Sequence, residues 1–240
     1  AVVKDPAGNY SDKKSEPYAF TIDKRVIKLV AGSKEWEYDG NPHSYDSYTI
    51  TDKDGNVIDE NSVFVKNTES FQSIKVTGSI TDVTLNSVGE NIGVSNTVSY
   101  TLTSVTNGDN YDIQCVDGVL KVTPTRLLYP ANLSWDGTNP GTATWVAISK
   151  SNLLVNYEVS LYMHDEGVVG EQADTLVAMK TVSDIQVSFT EEIHSNISDD
   201  SRKSFYFTVK TRVSDSDDDK NKAKNDYTDS DVSGKSDSLC

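Results

Sequence analysis

Three histidines, His43, His164 and His194, are the only imidazoles in the chain, and none of them stands in a catalytic motif. Each falls in a turn or at a strand edge with no partner evident in the sequence. The chain has no G-x-S-x-G elbow, no H-E-x-x-H pair, no phosphate-cradling glycine loop and no C-x-x-C. Glu191 and Glu192 are the nearest thing to paired carboxylates, but opposed acid and base groups must flank a scissile bond, and these two merely end a strand. The expectation is a chain with no catalytic residues and no cofactor, and not an enzyme.

Two acidic stretches invite a metal reading. In "TDKDGN" (Asp52, Asp54, Asn56) Gly55 comes fourth, whereas an EF-hand loop needs its glycine sixth, so a plain hairpin turn is expected. Asp215, Asp217, Asp218 and Asp219, with Asp226 and Asp229 beyond, are weak candidates for a cation site. Lys220, Lys222 and Lys224 interleave with them, and a mobile, solvated loop is the competing reading. Trp36, Tyr38, Tyr45 and Tyr48 form an aromatic cluster that could serve as a carbohydrate platform. Trp36 and Tyr38 share a strand face, and the alternative is that this face packs into a core. An internal amide between Lys and Asn or Asp would need both buried beside a carboxyl proton shuttle, and no spacing marks one.

Positioning any such group requires elements, and the elements read as strands. "GTATWVAI", "NYEVSLYM", "IQVSFTEEI" and "SFYFTVKTRV" alternate large and small residues at period two, with Trp145, Tyr157, Phe189 and Phe205 as anchors. Such a series builds two antiparallel sheets packed face to face. Upstream, strands are expected at 26–31, 35–38, 44–51, 73–77, 97–104, 111–115 and 120–123. Asp39-Gly40, Asp54-Gly55, Asn107-Gly108 and Asp117-Gly118 are the pairs that tight hairpins favour. A long polar stretch, "VSDSDDDKNKAKNDYTDSDVSG", should be a mobile loop before a closing strand near Val232. The fold class is therefore all-β, with tandem β-sandwich-like domains.

Two joints, "YAFTIDKRVIKLVA" and "LKVTPTRLLYPANL", each carry a closing strand, a basic residue (Arg25 or Arg126) and a new strand. They divide the chain at about residues 24 and 125 into beads on a string. Residues 1–24 then read as the terminal hairpin of a truncated upstream repeat, with strands at 1–4 and 18–22. Residues 25–124 form one all-β domain and residues 126–240 a second.

Composition limits the partners. Hydrophobic residues make up 36% of the chain, enough for real cores, and the net charge of −15 opposes binding to nucleic acid or to an anionic membrane. No apolar run approaches the roughly 18–20 residues that cross a bilayer. The two cysteines are too few for a disulfide-stapled scaffold, and Cys115, in "YDIQCVDG", is expected to be an ordinary buried thiol. The chain begins at Ala1 without Met or a signal-peptide pattern, which reads as a segment of a longer or processed polypeptide.

"ANLSWDG…GTATWVAI…NYEVSLYM…SFYFTVKTRV" resembles a fibronectin type III domain, of the immunoglobulin-like class, as found in bacterial surface proteins. Trp145, Tyr157, Val159, Phe205, Phe207 and Val209 carry the match. Phe205 stands where that family has a Tyr whose hydroxyl closes a corner. "SKEWEYDGNPHSY", "VTGSITDV" and "NYDIQCVDGVLKVTP" resemble the mostly-β repeats called MBG or YDG domains of bacterial adhesins. These resemblances imply an extracellular place on the bacterial cell surface, secreted or wall-attached, and a spacer or adhesive role. The partner of an adhesive module would be a host or matrix glycan or protein. A further alternative is the accessory, glycan-binding region of a secreted carbohydrate-active enzyme. The oligomeric state stays open.

Overall fold

The computed structural model describes residues 2–3, 6–8, 13–14, 17–168, 170, 173–197 and 202–240. Among the described residues the first half carries β1 (Val2–Val3), β2 (Lys13–Lys14), β3 (Arg25–Ala31), β4 (Lys34–Glu37), β5 (Tyr48–Thr51), β6 (Phe71–Thr77), β7 (Val94–Leu102), β8 (Tyr111–Val116) and β9 (Gly118–Thr123). The second half adds β10 (Thr125–Arg126), β11 (Ala131–Trp135), β12 (Thr142–Val146), β13 (Val155–Asp165), β14 (Asp174–Val182) and β15 (Gln186–Ser188). A short helix, α1 (Thr190–Asn196), then leads to β16 (Lys203–Val213) and β17 (Tyr227–Thr228). The fold is all-β, as the alternating pattern requires.

The chain folds into two compact units that are not drawn in chain order. The first holds Ala1–Ala31, Asp46–Val76 and Thr97–Asp117, and the second holds Gly32–Tyr45, Thr77–Asn96 and Gly118–Cys240. The segment 25–124 thus contributes to both.

In the first unit β3 is the central strand of three. It runs antiparallel to β5 and parallel to β8, with Leu29 opposite Ile50 and Ile27 opposite Ile113. Ile27, Leu29 and Ala31 alternate along β3 and are all buried, which places one face of the sheet in a core with Ile50, Val63, Phe64, Val98 and Tyr111. β6 and the later part of β7 add Phe71, Ile74, Val76 and Tyr100 to it. Phe64 plugs the end, edge-on to Phe71 at 5.0 Å and to Tyr111 at 4.9 Å. The Asp54-Gly55 pair does form a tight turn: Gly55 has φ +90°, and the Asp52 carboxylate accepts the N–H groups of Asp54 and Asn56 at 2.9 Å each.

Several expectations are corrected in this unit. The Asp117-Gly118 pair does not close a hairpin, because β8 pairs with β3 while β9 pairs with β4 and β7. β1 pairs with Lys13–Lys14, and residues 17–24 carry no strand, leaving Tyr18, Phe20 and Ile22 exposed. Cys115 is exposed on β8 rather than buried.

In the second unit two three-stranded sheets, β11-β12-β15 and β14-β13-β16, enclose Ala143, Trp145, Tyr157, Val159, Leu161, Phe189, Phe205, Phe207 and Val209. Val159 faces Val209 and Leu161 faces Phe207 across the β13–β16 pair. Trp145 meets Tyr157 edge-on at 5.3 Å, and the Tyr157 hydroxyl accepts the Ile148 N–H at 3.0 Å. Burial of these aromatic faces is the main favourable term for the sandwich. The expected strand "IQVSFTEEI" is corrected: β15 stops at Ser188, and Thr190 starts α1 with Glu191 and Glu192 in its first turn, where acidic groups favour the helix N-terminus. β14 is an additional strand.

A smaller core in the same unit gathers Ile80, Val83, Leu120 and Val122 under Trp36, Tyr38, Tyr45 and Val94. β4 runs parallel to β9, with Trp36 opposite Val122. Asn96 is wholly buried and donates to the carbonyls of Gly32 and Tyr45 at 2.8 Å each.

Residues 230–239 close the sandwich by a serine ladder. The N–H groups of Ser230, Ser233 and Ser236 donate to the carbonyls of Thr211, Val209 and Phe207 at 3.0, 2.9 and 2.9 Å. Their hydroxyls accept the N–H groups of the same three β16 residues at 2.8, 2.9 and 3.0 Å. Three residues of the closing segment therefore match two of β16, and each hydroxyl stands in for a ladder carbonyl.

Candidate functional site

The polar stretch expected to be mobile is instead a packed bracket of the second unit. Asn221 is buried; its amide donates to the carbonyls of Ser214 and Ser216 at 2.6 and 2.8 Å, and its Oδ1 accepts the Leu154 N–H at 2.8 Å. Ala223 packs with Leu127 and Leu153. The chain then delivers Asp226 to the 80–84 segment and Tyr227 to Tyr38, the residue that follows β4.

Asp226 is buried, and its carboxylate accepts the Val83 N–H at 2.7 Å. Burial, reinforced by the charge of Asp82, pushes its carboxyl above the usual range, against the pull of the Val83 hydrogen bond. Tyr227 meets Tyr38 edge-on at 5.2 Å, and burial raises both phenols. β10 runs parallel to β17, and Leu127 N–H reaches the Thr228 carbonyl at 3.0 Å. The Arg126 guanidinium holds Asp231 at 2.6 Å. Beside the two tyrosines lies a cleft of about 250 Å³, walled also by Asp39, Thr125, Arg126, Leu128 and Lys150.

The four aromatic candidates do not form one platform. Trp36, Tyr38 and Tyr45 belong to the second unit and Tyr48 to the first. Trp36 is half-buried, and one face is covered by His43, stacked at 4.9 Å with 14° between the planes. Lys34 Nζ lies 5.3 Å from the Trp36 ring and 5.2 Å from that of Tyr45. Tyr48 packs beside the first unit's core with its hydroxyl 3.5 Å from Glu60. Of the four, Tyr38 lines the cleft.

Of the acidic candidates, Asp217 and Asp218 are engaged elsewhere, and Asp219 is exposed in a short turn. Asp217 pairs with Lys224, and Asp218 accepts the Lys220 N–H at 2.8 Å to cap the turn Asp219–Asn221. Asp215 lines a groove with Arg126, Lys210 and Lys224. Among the described residues no three His, Cys, Asp or Glu side chains converge in a metal-ligating group.

Two histidines expected to lack partners have carboxylates. His43 Nε2 lies 3.0 Å from Asp39, and His164 Nδ1 lies 2.7 Å from Asp174. Lys235 Nζ takes the other oxygen of Asp174 at 2.8 Å and sits 4.3 Å above the Tyr206 ring. Lys235 and His164 hold the Asp174 carboxyl down at about 2. Amide formation needs a neutral amine and a protonated acid, and here both partners are driven toward their charged forms. The arrangement is an ion network that ties the closing segment to β14.

Of the bracket residues, Asp226 stood out in the sequence only as an outlying acid beside the cation candidates, and Asn221 and Tyr227 did not stand out. Their one trace in the sequence is an alanine and a tyrosine breaking a polar run. No family model matches this chain, and no curated protein matches it. The solved structure of surface layer protein SbsC, domains 4–9, is similar at 13% identity, covering 79% of this chain with a TM-score of 0.18. The chain spans about a third (32%) of that chain's length, and the likeness is too slight to carry a fold or a function.

Proposed function

We propose that this chain is a non-catalytic structural module of a bacterial cell-surface protein, a spacer built from an MBG-like and a fibronectin type III-like part. The observation that carries the reading is the bracket. Asp226 on Val83 and Tyr227 on Tyr38 fasten the sandwich to the small core around Leu120 and Val122, where a flexible linker would let the two swing. A stiff joint, with the sandwich closed by a serine ladder, suits a part that holds something at a distance.

The Tyr38–Tyr227 cleft supports a second reading, an adhesive module or the accessory glycan-binding region of a secreted carbohydrate-active enzyme. A glycan and matrix-protein array probed with this protein separates the two. The spacer reading predicts no saturable binding. Binding that disappears in Tyr38→Ala or Trp36→Ala, with the circular dichroism of the parent retained, would overturn it in favour of the second.

A further inference from the structure

The most anomalous surface of the molecule is the extended segment Pro17–Lys24. Tyr18, Phe20 and Ile22 are 93%, 81% and 85% exposed, and they alternate with Ala19 and Thr21 as the core side of a strand does. Among the described residues, none of 17–24 belongs to a sheet. The chain itself shows how this pattern is normally accommodated. Leu120 and Val122, which precede Arg126 much as Phe20 and Ile22 precede Arg25, are wholly buried on β9 between β4 and β7.

We propose that residues 18–22 form a strand that pairs with the free edge of β14 in a second copy of this chain. β14 is nine residues long and, among the described residues, pairs as a strand with β13 alone. Leu176 and Met179 on it are 49% and 55% exposed. Its charges are satisfied locally, Asp174 by His164 and Lys235, and Lys180 by Glu192. An uncharged strand can therefore dock without stranding an ion. Five residues, about 17 Å, fit within its length.

Donor and acceptor are different surfaces, so the contact is head-to-tail and need not close; it strings copies into a row. The net charge of −15 opposes it, and screening by salt relieves that opposition. The inference rests on these strands alone and does not depend on the spacer reading.

Sedimentation of the protein over a concentration series, at low and at about 0.15 M salt, tests it. The weight-average mass should rise at least about twofold above monomer at the higher salt and concentration. Phe20→Asp and Met179→Asp, each with the circular dichroism of the parent, should each remain monomeric, while an equal mixture of the two should stop at dimers. A parent protein that is monomeric under every condition would overturn the proposal. So would either variant assembling as the parent does, or a mixture that stays monomeric.

Discussion

The Asp226 carboxylate accepts the backbone N–H of Val83 at 2.7 Å across 143 residues of chain. It is a buried acceptor meeting a buried donor, and it fixes where the 215–226 bracket ends. Without it the Val83 N–H would lose its partner inside the protein, and Tyr227 would lose the anchor that sets its ring against Tyr38.

Asp226→Asn keeps an acceptor oxygen and removes a charge that burial disfavours, so stability near neutral pH should be unchanged or higher. Asp226→Ala leaves the Val83 N–H unpaired and should cost about 1–3 kcal/mol. The carboxyl is raised in the folded state, so its ionised form weighs against folding above that raised value. Lowering the pH toward 4 should therefore stabilise the parent relative to Asp226→Asn. Urea denaturation of the three proteins at two pH values measures each difference.

The serine ladder makes an equally local prediction. Ser233→Ala removes the acceptor of the Val209 N–H at a buried position and should cost about 1–3 kcal/mol. Ser233→Thr keeps a hydroxyl and should recover part of that loss. Ser230→Ala and Ser233→Ala combined should depart from additivity, because the two rungs share one strand pair.

Acid sensitivity should localise to Asp174. Its carboxyl is depressed to about 2 from 3.8, so its contribution to stability is complete above the unfolded value and is lost as the pH falls from about 4 through 2. Asp174→Asn should flatten that part of the pH–stability curve by lowering the neutral plateau, the two proteins converging as the pH falls toward 2. The intact mass should equal that of the unmodified sequence, since Lys235 and Asp174 remain an ion pair; loss of one water would contradict this.

Much of the sandwich was legible because its alternation is undisturbed. Tyr157, Val159 and Leu161 on β13, and Phe205, Phe207 and Val209 on β16, each keep period two and face one core. β14 was hidden by a register shift: Leu161 pairs with Ala178 but Tyr162 with Leu176, leaving Val177 as an extra residue that breaks the alternation. α1 was hidden because Phe189 and Ile193 are both buried, and over so short a stretch a spacing of four fits either period. The parallel pairs β3–β8 and β4–β9 join residues more than 80 apart, which no local pattern announces. At the candidate site, Tyr38 stood out as an aromatic. Asp226 looked like one more solvated acid, because its burial depends on where the bracket lands.

Amide hydrogen exchange at Val83 reads out the stiffness of the joint between the sandwich and the small core. If Asp226 and Tyr227 hold the 80–84 segment against the sandwich, the Val83 N–H should exchange within about tenfold of the Val209 N–H on β16 and speed up in Asp226→Ala. A Val83 N–H that exchanges at the rate of an exposed loop in the parent protein, while Val209 stays protected, would mean that the bracket does not hold the joint and would overturn the spacer reading.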